Sequence, residues 1–304
     1  MTRTVLVVGA RGVPDVEGGA EKNAEMLFPQ VAAAGWRVVL MGLAGRVSRG
    51  RYRGVELRPA PVVRLLKTDK LLYYVWALAT AWRLRPDIVH LQGLGAALPL
   101  FLYRWMGLRT VVRYGSVDYL SDKFSPLGKL GFRLAERQLP SADAVIAVSP
   151  FLGERLSAEG SRAQVHVIPN AVDEVTPAPL EARLAEEDEP PFILSVGRVT
   201  SAKNVRNLLR GFGALLDGSA DFGPLRLLVA GGLEEADYVS SLQDLARPEV
   251  VWLGRRSRAE LDDLYRRCRV YVNASNHEGS CNALLEAVSR GCPVVVSDIP
   301  ANRD

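Results

Sequence analysis

Short apolar runs rich in Val, Ile and Leu alternate with longer stretches whose apolar residues recur every three or four positions. The short runs suit strands buried on both faces, and the longer stretches suit helices with one face against a sheet. In the amino-terminal half this pattern predicts strands over 4–8, 37–41, 87–92, 109–114, 144–149 and 164–168. It predicts helices over 20–34, 68–83, 96–106 and 127–139, with Gly35 ending the first. In the second half it predicts strands over 192–196, 225–231, 250–254 and 270–272, and helices over 205–216 and 258–267. After Val272 come small polar residues, then Ser280, placed to cap a helix. Leu284, Leu285 and Val288 give that helix an apolar face, Gly291 closes it, and Pro293 opens a further strand. Strands alternating with helices imply an α/β chain with parallel sheets, whose ligand edge is the carboxyl end of the strands.

The rhythm lapses over 176–191, which is Pro-rich and acidic without apolar periodicity. With 304 residues the chain exceeds an ordinary single core, so domains over 1–175 and 192–304 are expected on either side of that linker. Three cysteines, Cys268, Cys281 and Cys292, form no CxxC pair and lie beside apolar runs; buried thiols in a reducing cytoplasm are expected, and no zinc site. The net charge of +4 is uneven. Arg46, Arg49, Arg51, Arg53, Arg58, Arg64, Lys67 and Lys70 crowd one segment, while Glu181, Glu186, Glu187, Asp188 and Glu189 form an acidic run. Beside the basic segment, residues 71–81 are apolar and aromatic but too short to span a bilayer. They read either as a buried helix or as one lying on a membrane, and the basic segment either as a solvated loop or as a contact for anionic lipid. A cytoplasmic protein with a peripheral contact at the inner membrane thus stays open, whereas no motif points to nucleic acid.

Candidate chemistry gathers at predicted strand ends. The loop from Gly9 to Glu21 is long and glycine-rich, which lets backbone N–H groups approach a phosphate at a helix start. Gly9 and Gly12 do not fit the G-x-G-x-x-G spacing, and the second strand ends in Met41-Gly42 without an acid, so hydride transfer is disfavoured. His90 and Tyr114 end strands, and Asp118 and Lys123 follow in a polar loop. Arg198 and Lys203 flank the start of a helix, where a planar fork and a point charge suit a pyrophosphate. Glu278 falls in the turn at a helix mouth, and Glu286 is expected about two turns into that helix.

The run His277-Glu278-Gly279-Ser280-Cys281-Asn282, Leu-Leu-Glu286-Ala, Arg-Gly-Cys-Pro-Val-Val resembles the Glu-x7-Glu signature of retaining glycosyltransferases of family 4. The likeness extends over nearly the whole chain, through Pro-Asp-Ile-Val-His90, Ile168-Pro-Asn-Ala-Val-Asp173, Gly197-Arg198 with Lys203-Asn204, and Val251-Trp-Leu-Gly254. It implies the GT-B fold, two Rossmann-like doubly wound parallel-sheet domains, with the second incomplete because relatives continue beyond residue 304. It implies transfer of a sugar from a nucleotide-diphosphate donor to a lipid-linked or saccharide acceptor, in polysaccharide or glycolipid synthesis, with no cofactor and no obligatory metal. By the same resemblance Gly18, Gly19, Arg198, Lys203, Gly279, Ser280, Cys281 and Asn282 bind the donor, Glu286 holds its ribose and Glu278 its sugar. Glu278, Arg198 and Lys203 would be the catalytic groups. His90, Tyr114 and Asp118 are placed for sugar or acceptor, although Tyr114 stands where many relatives have histidine, and Ala171 where they have glycine. A nucleotide-sugar epimerase of the same fold and a non-catalytic nucleotide-sugar-binding protein remain alternatives.

Overall fold

The computed structural model describes residues 2–16, 18–62, 71–120, 124–158, 163–172, 175, 190–218, 223–245 and 247–303, Leu71 by its backbone alone. Outside them lie Arg64, Lys67, Lys70, Lys123, Asp173, the acidic run and nearly all of the expected linker. The described residues up to Asn170 form one compact unit, and those from Ala171 form a second.

The first unit runs β1 (Thr4–Val8), α1 (Gly19–Ala33), β2 (Arg37–Leu43), β3 (Gly50–Tyr52), β4 (Val55–Ala60), α2 (Leu71–Leu84), β5 (Ile88–Gln92), α3 (Leu94–Ala97), α4 (Leu100–Trp105), β6 (Arg109–Tyr114), α5 (Pro126–Gln138), β7 (Ala144–Ala147), α6 (Pro150–Ala158) and β8 (Gln164–Val167). Its sheet has the order β3-β4-β2-β1-β5-β6-β7-β8, parallel except for the β3–β4 hairpin. Successive strand residues point to opposite faces, and β1 uses both. Leu6 and Val8 join a core closed by Tyr73 of α2, Leu100 and Tyr103 of α4, Ala135 of α5 and Leu152 of α6. Val5 and Val7 join a second core with Ala24 and Phe28 of α1. Burying each such aliphatic side chain contributes about 1.5–3 kcal/mol, which explains why β1 carries no charge. Gly35, at φ 88°, follows α1 in the left-handed conformation that ends it as expected.

Besides α6, which the sequence pattern did not predict, and the short helices Ala236–Ser240 and Pro300–Arg303 of the second unit, two regions differ from the sequence reading. The basic segment contains the β3–β4 hairpin, in which Val55 and Leu57 are buried while Arg58 and Arg37 both pair with Glu56. Two inward residues were too few to reveal the strand, and its arginines lie where charge protects a sheet edge. The helix expected over 96–106 is divided into α3 and α4 at Leu98–Pro99, because proline lacks the N–H a continuous helix needs.

The second unit runs β9 (Phe192–Val196), α7 (Val205–Gly218), β10 (Arg226–Ala230), α8 (Ala236–Ser240), β11 (Val250–Gly254), α9 (Arg258–Arg267), β12 (Val270–Asn273), α10 (Asn282–Ser289), β13 (Val294–Val296) and α11 (Pro300–Arg303). Its strands are parallel in the order β11-β10-β9-β12-β13. Leu208, Leu209 and Phe212 of α7 pack on one face of the sheet, and Tyr265 of α9 and Ala287 of α10 on the other. Cys268, Cys281 and Cys292 are buried free thiols.

Candidate active site

The carboxyl ends of β9, β10 and β12 meet at one edge of the second sheet. Backbone there is drawn close: Gly197 N donates to the Ala230 carbonyl at 2.8 Å and Val199 N to Gly232 at 2.9 Å. A Cβ on Gly231, where φ is 151°, would lie 1.9 Å from the Gly197 carbonyl oxygen, so only glycine allows the approach. Arg198 and Lys203 leave this edge. A short helical turn over Ser201–Lys203 and Asn204 in the left-handed conformation carry the chain into α7. The loop after β12 is fastened to that turn by Asn276 N, which donates to the Ala202 carbonyl at 2.9 Å.

This fastening brings Lys203 onto Glu278. Lys203 Nζ donates to Glu278 Oε1, and Ser275 Oγ donates to the same oxygen at 2.8 Å. Burial disfavours the ammonium most, but the Glu278 charge, the nearby Cys281 and the hydrogen bond to Glu278 together outweigh it, so the Lys203 pKa lies above its ordinary value. Arg198 is near enough to oppose that charge, and its own Nη1 donates to Glu234 at 2.9 Å. The expected cap is corrected here: Cys281, not Ser280, occupies the N-cap of α10, and it makes no side-chain capping bond. The Cys281 thiol instead accepts from Asn273 Nδ2 at 3.0 Å, since it is buried beneath the loop. Beginning at Asn282, α10 has no acid in its first turn, which leaves a helix start suited to an anion. Glu286 is therefore little more than one turn into the helix, nearer its mouth than expected, and accepts from the buried Tyr265 hydroxyl at 3.1 Å. Ser275 and Tyr265 carried no sequence signal, because their roles arise only from the packing of α9 and the loop against α10.

In the first unit Gly18 precedes α1 at φ 140°, and a Cβ there would lie 2.0 Å from Glu21 Oε2. The buried Glu21 carboxylate accepts from Arg11 N at 3.0 Å and Arg11 Nε at 2.9 Å, so this helix mouth beside Gly18 and Gly19 already holds a neutralised anion. His90 is buried edge-on to Phe28, 5.2 Å between ring centres. Its Nε2 has no hydrogen-bond partner among the described residues, and burial, helped by Arg113, pushes its pKa down to about 4. Asp118 accepts from Ser116 Oγ at 3.0 Å.

Tyr114 is engaged within the first unit. It is fully buried, and its hydroxyl donates to Glu136, which also accepts from Tyr119 at 2.8 Å and Arg155 Nε at 2.9 Å. The carboxylate of α5 thus engages the Tyr114 hydroxyl in the interior of the first unit. Sequence reasoning also passed over Arg113, whose buried guanidinium donates to Asn170 Oδ1 at 2.5 Å and whose pKa burial pushes down to about 10. A charge near the end of an otherwise apolar strand was the available signal. Among the described residues no cluster of three or more His, Cys, Asp or Glu could hold a metal ion.

Two units of this construction, each a parallel sheet sandwiched by helices, define the GT-B class, and solved structures of that class superpose on the chain. Anabaena HepE in complex with UDP and glucose matches with a TM-score of 0.73 at 18% identity, covering 99% of this chain and 82% of that one. The sucrose-phosphate synthase of Thermosynechococcus elongatus matches with a TM-score of 0.79 at 18% identity, covering 98% and 82%. Residues 17–175 match the family described as Glycosyltransferase Family 4, and residues 179–304 match Glycosyl transferases group 1. The chain belongs to Glycosyltransferase Family 4. It is 30% identical over 233 residues to the GDP-mannose-dependent alpha-mannosyltransferase of Mycobacterium tuberculosis (strain CDC 1551 / Oshkosh), covering 72% of this chain and 57% of that protein. To the lipopolysaccharide core biosynthesis glycosyltransferase LpsE of Rhizobium meliloti (strain 1021) it is 25% identical over 284 residues, covering 92% and 75%. The chain thus spans little more than half the length of the mycobacterial relative.

Proposed function

We propose that the chain is a retaining glycosyltransferase that moves a sugar from a nucleotide-diphosphate donor to a hydroxyl acceptor in the assembly of a surface polysaccharide or glycolipid. The observation that carries this reading is the junction of Lys203 with Glu278, beside Arg198 and the acid-free start of α10. When the bond from the anomeric carbon to the donor phosphate breaks, negative charge grows on the departing diphosphate. Arg198 and Lys203 stabilise it without an obligatory metal, and the helix start adds its N–H groups. Glu286, which accepts a hydrogen bond from the Tyr265 hydroxyl, has the chemistry to accept from the ribose hydroxyls. Glu278 orients Lys203 and meets the donor sugar, with Gly279, Ser280, Cys281 and Asn282 beside it. The acceptor hydroxyl attacks on the face the diphosphate leaves, and its proton passes to the departing phosphate oxygen, so configuration is retained without a covalent sugar–enzyme bond. In the first unit, Gly18, Gly19, His90 and Asp118 are the candidates for donor or acceptor contacts.

The mycobacterial relative is named for GDP-mannose and the HepE structure holds UDP, so GDP-mannose and UDP-glucose are the donors to try first. Release of nucleoside diphosphate is followed with a panel of lipid-linked and saccharide acceptors, and the new linkage is read by NMR. An α-linked product from an α-linked donor is expected. A β-linked product contradicts retention. Epimerised nucleotide sugar without acceptor transfer, or no turnover by the folded chain, contradicts the activity.

A further inference from the structure

Helices α2, α4 and α5 lie on the same face of the first sheet, sharing its larger core. They are tied side by side: Arg85 Nη1 donates to the Met106 carbonyl at 2.9 Å, and Gln138 accepts from Phe101 N at 3.2 Å while donating to the Leu98 carbonyl at 3.0 Å. Their inward residues fill the core, yet their outward residues are also apolar. Trp76 and Trp82 of α2, Phe101 and Trp105 of α4, and Leu127 and Leu130 of α5 are exposed, Trp105 by 85% and Leu127 by 75%. A soluble surface seldom carries so many large apolar side chains on neighbouring elements without a partner.

The exposed charges that these helices themselves carry are of one sign, although Arg104 of α4 is paired with Asp143, just before β7, at 3.2 Å. Arg83, Arg133 and Arg137 are exposed on these helices. The one carboxylate in α2, α4 or α5, Glu136, is buried in the network of Tyr114 and Arg155. A second copy meeting this face through a two-fold axis would set Arg83, Arg133 and Arg137 against arginines, with no exposed acid of these helices to pair with them. Exposed tryptophans beside cations, on helices that carry no exposed acid of their own, instead match the interface of an anionic bilayer, where indole rings settle at headgroup level and arginines meet lipid phosphates. We propose that the outward faces of α2, α4 and α5 form a docking surface for an anionic lipid bilayer. This surface differs from the basic segment considered from sequence, in which Arg58 is paired with Glu56. It stands independently of the proposed reaction.

The full chain is mixed with sedimentable vesicles of phosphatidylcholine alone or with one-third phosphatidylglycerol. Bound fraction and tryptophan emission are both followed, since three of the five tryptophans lie on this face. Binding to the anionic vesicles with a blue shift, weakened by salt, is expected. Trp76→Ser/Phe101→Ser/Trp105→Ser should reduce it at least tenfold. Arg133→Glu/Arg137→Glu should reduce it by more than tenfold, at roughly fivefold for each cation lost. The altered side chains are exposed, and circular dichroism checks that the variants fold. Equal binding to neutral vesicles, unchanged binding by either variant, or no binding by the folded chain overturns the proposal. So does a dimer seen in sedimentation velocity that the triple variant abolishes, which would assign the face to a second copy.

Discussion

Lys203 and Glu278 are mutually dependent: each is largely withdrawn from water, and each would leave the other's charge uncompensated. Arg198, more exposed and held by Glu234, can turn toward an anion without that cost. If both cations stabilise a departing diphosphate, Arg198→Ala and Lys203→Ala should each lower kcat by about 10²–10³, equivalent to about 2.7–4 kcal/mol. Steady-state kinetics checks this, and turnover within twofold of the parent would remove the residue from the mechanism. Tyr114 offers a contrasting case. Tyr114→Phe should cost about 1 kcal/mol in urea unfolding, since Glu136 keeps Tyr119 and Arg155 as partners, and should leave the donor KM unchanged. A raised KM with unaltered stability would show that the hydroxyl reaches the sugar.

Elements depend on fewer residues than their lengths suggest. Gly231 permits β10 and β9 to approach at their carboxyl ends, and alanine there meets a carbonyl oxygen in a backbone region unfavourable to side chains. Gly231→Ala is expected to lower the thermal midpoint by several degrees and weaken nucleotide binding; an unchanged melting curve contradicts the packing described. Most elements were legible because their burial is periodic. In β1 each of Leu6, Val7 and Val8 is wholly buried, and α7 places Leu208, Leu209 and Phe212 on one face. The β3–β4 hairpin escaped because only Val55 and Leu57 in it follow a strand pattern amid arginines, and the α3–α4 break because Pro99 was read through an unbroken apolar run. The site was legible in part. Arg198, Lys203, Glu278 and Glu286 stand out as charges at element ends, but the Lys203–Glu278 contact spans 75 positions and depends on how β9 and β12 pair. The environment of Tyr114 was hidden likewise, because Glu136 reads as an ordinary helix acid until α5 is packed.

At the scale of the whole molecule, acid sensitivity is expected from His90. Its pKa is about 4 in the folded chain, against an ordinary 6.5 when unfolded, so between those values the unfolded chain binds more protons. Stability therefore rises with pH from about 4 to 6.5, and the full shift corresponds to about 3 kcal/mol. His90→Gln should flatten that part of the profile in urea unfolding at pH 4.5 and 7; an identical slope would contradict a buried neutral imidazole. Each unit has its own cores and sheet, and the proposed donor chemistry rests on charges of the second. The most direct measurement is calorimetric titration of the chain with GDP, UDP and ADP, with and without chelator, beside Glu286→Ala. Binding of one nucleotide that survives chelator and weakens at least tenfold in Glu286→Ala is the predicted result. No binding to the folded chain, or equal binding by Glu286→Ala, would contradict the assignment of this sheet edge as a nucleotide-sugar site.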